Sequence, residues 1–238
     1  NTNPLIISNL ASVLDFGLEN TSSCLTLQFT NAATTGAGDV LDVLLSNVSG
    51  GALIITSPSN GVETVRIASN GTGNTLSTLA QNTGATPTAM TMTVSGPAPL
   101  TINAPLPSNV ATVTATSAAG GVTLDLSSST APVVSVTGGA GNDTFTFGAN
   151  YTSADTVDGG GGTNTLALTS AAAAVAAVQA NVKGIKVLTI TDGLTNAVTA
   201  SRFTTVNLRQ GFSGAATLTV ATGTTINLAF LHSSRSSF

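Results

Sequence analysis

Apolar and polar residues alternate over short stretches of this chain. Leu25, Leu27 and Phe29 are spaced by Thr26 and Gln28, a two-residue period that predicts a strand with one buried face. Val40, Val43 and Leu44, and then Leu53, Ile54 and Ile55, supply further short apolar runs, with turn-forming clusters at 34–38, 47–51 and 57–61. From Met90 the spacing tightens. Strand centres fall near Val94, Ile102, Val113, Leu124, Val134 and Phe145, roughly one every ten residues, with Gly, Pro, Ser or Asn between them. Two such strands per coil give a turn of about twenty residues, in which each rung buries its apolar side chains by stacking on the next. The expected fold is all-β: a β-solenoid of the parallel β-helix or β-roll kind with short, irregular strands. Residues 97–238 read as this solenoid. Residues 1–96 read as irregular first rungs or as a separate β-domain.

One stretch breaks the two-residue period. In SAAAAVAAVQANVKG, residues 170–184, Ser170 can cap a helix, alanines fill its interior and Gly184 can end it. Val175, Val178 and Val182 would share one face, so a single short Ala-rich helix is expected at 171–183. Strands resume at 187–190, 205–208, 217–220 and 225–228. The last ten residues carry no period and read as a frayed end.

Composition narrows the function classes. Only 7% of the 238 residues are charged, 42% are hydrophobic, and mean hydropathy is +0.38, so the chain lacks the low hydrophobicity and high net charge of disordered segments. Thr, Ser and Asn must therefore supply the solvated faces, as is usual in extracellular repeat and lattice proteins. With 10 acidic and 6 basic residues there is no Lys/Arg cluster to neutralise phosphates, which argues against nucleic acid as a partner. Cys24 is the only cysteine, so no internal disulfide is possible. No apolar run reaches the roughly 18 residues of a membrane span. The chain starts at Asn1 without Met and reads as a piece of a larger, exported protein.

The candidate chemistry lies at 138–146, GGAGNDTFT. It satisfies every position of the calcium β-roll pattern GGxGxDxUx, with Gly138, Gly139, Gly141, Asp143 and, as the large apolar residue, Phe145. Glycines let such a loop take positive φ and turn its carbonyls inward, the aspartate adds a hard charged oxygen, and the apolar residue opens a core strand. A second copy, GGGGTNTLA at 159–167, puts Asn164 where aspartate is expected and Leu166 at the apolar position. The copies lie 21 residues apart, against about 18 for a regular roll, and Asp155 and Asp158 precede the second loop. The expected site is one calcium ion between the loops, held by Asp143, by the loop residues Gly139, Gly141, Gly160, Gly162 and Asn164, and by Asp155 or Asp158. A Gly- and Asp-rich turn that binds nothing is the plainer alternative.

The run VTGGAGNDTFTFGANYTSADTVDGGGGTNTL, preceded by VTLDLSSSTAPVVSVT, resembles the calcium-dependent surface-layer proteins of Gram-negative bacteria of the Caulobacter type, and related RTX proteins exported by type I secretion. The match covers about residues 122–168. VETVRIAS at 62–69 and NVKGIKVLTITDG at 181–193 resemble linking strands of such proteins more loosely. The resemblance implies calcium-triggered folding outside the cell, self-association into a lattice on the bacterial surface, and cell-surface polysaccharide as a candidate partner. It departs from the family in having one perfect nonapeptide and no recognisable C-terminal secretion signal. An RTX-type adhesin, or the non-catalytic RTX portion of a secreted enzyme, are the alternative readings.

Other residues carry less. Asp39 and Asp42 flank a turn that could hold a second calcium but reads better as solvated, while Asp125 and Asp192 read as surface residues. His232 is the only histidine, and neither a Gly-x-Ser-x-Gly elbow nor an HExxH motif accompanies it, so no enzyme is expected.

Overall fold

A computed structural model describes residues 4–84, 89–175, 177–212 and 215–229. The strands of the first half are β1 (Leu5–Leu10), β2 (Phe16–Glu19), β3 (Leu25–Phe29), β4 (Val40–Ser46), β5 (Ser49–Ser57), β6 (Thr64–Asn70), β7 (Asn74–Thr83), β8 (Met90–Gly96), β9 (Leu100–Ile102) and β10 (Val110–Ala118). There follow β11 (Val122–Asp125), β12 (Ser135–Thr137), β13 (Thr144–Gly148), β14 (Thr156–Asp158), β15 (Asn164–Leu168), β16 (Val182–Lys183) and β17 (Ile185–Ile190). The last are β18 (Val198–Thr199), β19 (Thr205–Leu208), β20 (Leu218–Thr219) and β21 (Thr225–Leu228).

All pairings between these strands are parallel, and, except between β16 and β18, each strand pairs with the one two further along the chain. The odd-numbered strands β1 to β21 make one sheet, the even-numbered strands β2 to β16 a second, and β18 pairs with β20. The result is a β-solenoid of about ten turns. The pairing runs through residue 96 without a break: β7 pairs with β9, and β8 with β10. The strands of residues 4–96 are thus rungs of the same two sheets.

Register explains the alternation in the sequence. Leu124, Phe145, Leu166, Leu188 and Val206 are successive partners and all point into the core. Across from them Val65, Met92, Val113, Val136, Val157 and Val182 form the matching row. Both rows belong to one continuous apolar cluster, so each side chain is covered by the rungs above and below it. Of the expected strand centres, Val134 lies one residue ahead of β12 and the others lie inside strands.

The helix departs from expectation. Instead of one helix over 171–183 there are two single turns, Ser170–Ala173 and Ala177–Ala180, and Val182 and Lys183 form β16. Thr169 rather than Ser170 caps the first turn, its Oγ1 accepting from the Ala172 N–H at 3.3 Å. The physical reason is tertiary: Val182 pairs with Val157 and completes the valine row, and β-branched valines fit that pleated surface better than a helix. No helix among the described residues is long and apolar enough to cross a membrane.

Candidate functional site

Each coil turns a corner between an even and the following odd strand, and there one residue precedes or opens the odd strand. Val48, Asn74, Leu100, Val122, Asp143, Asn164 and Ile185 occupy that column, coil after coil. Three of them are polar and buried: Asn74, Asp143 and Asn164. A buried polar side chain must find partners. These three find them in the neighbouring coil. Asn74 Oδ1 accepts the N–H of Val48 at 2.9 Å, Asp143 Oδ1 that of Val122 at 2.7 Å, and Asn164 Oδ1 that of Asp143 at 2.8 Å.

The second branch of each side chain separates the aspartate from the asparagines. Asn74 Nδ2 donates to the carbonyl of Asn70 at 2.9 Å and to Ser69 Oγ at 2.8 Å. Asn164 Nδ2 donates to the carbonyls of Gly159, Gly161 and Gly184. Asp143 has an oxygen in that place, and its Oδ2 accepts the Gly139 N–H at 2.8 Å. Against the Cα of Gly138 lie Asp143 Oδ2 and the Gly159 carbonyl, in the same way that Asn164 Nδ2 and the Gly184 carbonyl lie against the Cα of Gly159. At the corner of Asn164 a donor meets an acceptor. At the corner of Asp143 both groups beside the glycine are oxygens. Burial accordingly pushes the Asp143 carboxyl above its ordinary range, and the N–H groups of Val122 and Gly139 offset only part of that effect.

The loop glycines serve mainly to let coils approach. Contrary to the expectation for the first loop, none of Gly138, Gly139 and Gly141 has a positive φ. A Cβ on Gly141 would overlap the backbone of Gly121 in the previous coil. Gly162 combines both demands, with φ at +74° and a Cβ that would meet the Gly141 carbonyl. Gly160 also has positive φ, and its N–H donates to Asp158 Oδ1 at 3.0 Å.

The structure brings together only part of the expected calcium site. Asp143, Asn164 and the glycines of both loops share one corner, and Asp158 closes β14 beside it, where its carbonyl accepts the Gly138 N–H at 2.7 Å. Asp155 sits at the other corner of the coil, ahead of β14. Its Oδ1 accepts from the Val134 N–H and its Oδ2 from the N–H and Oγ1 of Thr152, so it plays there the part that Asp143 plays here. Calcium takes six to eight oxygen ligands. Asp143 Oδ2 with the facing Gly159 carbonyl suits a cation in charge. Asn164 does not, because its own amide nitrogen already engages the three carbonyls around it. Among the described residues no three His, Cys, Asp or Glu side chains gather as a metal site.

The remaining candidates take local roles. The Asp39 carboxyl lies above its ordinary range through burial and the charge of Glu63, whose carboxylate accepts the Asp39 N–H at 2.8 Å. Asp42 faces outward toward Arg66, Asp125 accepts the Ser127 N–H, and Asp192 accepts the Ser170 N–H at 2.6 Å. His232 and the end of the chain lie outside the described residues. The sequence pattern missed Asn74, yet a signal was present: Asn74-Thr75-Leu76 and Asn164-Thr165-Leu166 are the same tripeptide, and Asp143-Thr144-Phe145 is its carboxylate form.

Fold and corners together define a parallel β-solenoid laced by buried Asx side chains. Comparison with protein-family models, with characterised proteins and with solved structures finds no match.

Proposed function

We propose that this chain is a structural segment of a bacterial cell-surface layer, a self-associating extracellular solenoid that carries no catalysis, and that calcium is bound at Asp143. One observation carries the reading: the buried polar side chains at the corners are spent on holding one coil to the next. Asn74, Asp143 and Asn164 each bond the backbone of a neighbouring rung. Outward, Thr101, Thr123, Thr144 and Thr165 form one in-register row of hydroxyls. A molecule built in this way offers a repeating, uncharged row, which suits a scaffold.

Asp143 Oδ2 and the Gly159 carbonyl are the groups that would hold the ion. Calcium would supply there the positive charge that the amide of Asn164 supplies one coil further on. Electron microscopy of the purified chain, with calcium and after chelation, tests the proposal. Ordered sheets in calcium that disperse on chelation are expected. Isolated rods in both conditions would sink the coat in favour of an adhesin, and a melting temperature indifferent to calcium would sink the ion.

A further inference from the structure

Hydroxyl side chains tile the outer face of the even-numbered sheet. Thr64, Thr91, Thr112, Ser135 and Thr156 are successive partners on β6, β8, β10, β12 and β14. Two residues along each strand, and therefore on the same face, Thr93, Thr114 and Thr137 are successive partners as well. All of these residues are partly or fully exposed, while Met92, Val113 and Val136 between them are buried in the core. Arg66 closes the second row at one end and Asp158 at the other. Between those two charges, β8, β10 and β12 carry Thr or Ser at every position of both rows. The other sheet has no such field: beside Thr123, Thr144 and Thr165 its second row reads Asp125, Thr146 and Ala167.

Strand spacing turns the field into a lattice. Neighbours within a row stand about 4.8 Å apart, and the rows lie about 6.6 Å apart, twice the rise per residue of a parallel strand. Oxygen atoms on a prism face of hexagonal ice also repeat in two perpendicular directions, at slightly less than the first distance and slightly more than the second. We infer that this face binds ice. The inference stands on strand register and goes beyond the surface-layer reading, which neither requires nor excludes it. Each threonine hydroxyl takes the place of a lattice water, and its methyl fills the hollow between lattice oxygens. One such bond is worth little in exchange for a bond to liquid water, so recognition needs many in register on a surface already held in place. The rungs supply that order. Threonine is stiff at χ1, and the buried Met92, Val113 and Val136 pin the strands from behind. Among the described residues the hydroxyls of the two rows make one hydrogen bond, from Thr156 Oγ1 to Ser135 Oγ at 3.1 Å, so the others are left for water.

Partition into growing ice tests this. A solution of the purified full chain is frozen slowly from one side, and the protein taken up by the ice is compared with serum albumin, which the advancing front excludes. The wild type is expected in the ice well above the albumin level, and crystals grown in its presence should be faceted. Thr114→Tyr, at the centre of the field, should fall to the albumin level. Thr93→Tyr, on the neighbouring strand, takes its place if circular dichroism shows the first variant to be unfolded. Thr123→Tyr, exposed on the other sheet, should partition as the wild type does. Albumin-level partition of the wild type overturns the inference. So does a folded Thr114→Tyr or Thr93→Tyr that enters ice undiminished, and so does an equal loss in Thr123→Tyr, which would place the contact elsewhere.

Discussion

The backbone N–H of Asp143 donates to Oδ1 of Asn164, 2.8 Å away in the next coil. The residue whose carboxylate holds Val122 is itself held by an amide, so the corner reads as a chain of identical grips, Asn164 on Asp143 and Asp143 on Val122. Only one member of that chain carries a charge.

Replacing that charge should therefore be informative. With calcium chelated, Asp143→Asn removes the charge, at the cost of the bond that Oδ2 accepts from the Gly139 N–H. The carboxyl of Asp143 lies above its ordinary range in the folded chain, so its favourable contribution is whole below the unfolded value of 3.8 and is lost as pH rises through the folded one. The metal-free wild type should lose stability over that window while Asp143→Asn does not. Calcium should raise the melting temperature of the wild type and leave the variant unmoved. Thermal melts across acid pH, with chelator and with calcium, check this.

The converse change is Asn164→Asp. It places a carboxylate among the carbonyls of Gly159, Gly161 and Gly184, which now accept from the amide. A loss of about 1–3 kcal/mol is expected without metal, recovered in part by calcium. Denaturant titration in both conditions decides it.

Tyr151 is the only tyrosine, its hydroxyl is buried without a hydrogen-bond partner among the described residues, and its ring packs edge-on to Phe147 with centroids 5.6 Å apart. Burial, and then the nearby charge of Asp155, push its pKa from 10.0 up to about 12. The stability it contributes is complete below pH 10 and is lost as pH rises through about 12. Tyrosinate absorbance should titrate late and together with unfolding. Tyr151→Phe should remove the alkaline sensitivity at no cost near neutral pH.

Gly141→Ala should cost about 1–3 kcal/mol, because the new methyl meets the Gly121 backbone of a stacked coil. Gly38→Ala is the control, with nothing within 4 Å of its Cβ. Equal melting temperatures for the two would mean that the coils stack less closely than described.

Asn74→Ala should cost about 2 kcal/mol, since it leaves the Val48 N–H buried and without its acceptor. The same substitution at an exposed asparagine such as Asn227 is the comparison for chemical denaturation.

The sequence by itself determined the solenoid. Alternation of apolar residues every second position, interrupted about every ten residues, admits few other ways to bury Leu124, Phe145 and Leu166, whereas only the stacked coils showed that the glycines of 138–141 serve close backbone approach rather than positive φ. The sequence also pointed to Asp143 and Asn164 as special, because both stand at the aspartate position of the GGxGxDxUx pattern. Tertiary structure alone decided what satisfies them. Hydrogen-bond polarity at a corner depends on which groups of the adjacent rung arrive there, and those groups lie 21 residues away in the chain. For the same reason Asp155, only 12 positions after Asp143 in the sequence, turned out to serve the opposite corner, while Asp42 and Arg66, 24 positions apart, came to lie side by side across β4 and β6. Valines 175, 178 and 182 were spaced for a helix, and only the pairing of Val182 with Val157 drew the last of them into a strand. Local pattern governs which face of an element is buried; register, set by the stacking of whole coils, governs which side chains meet.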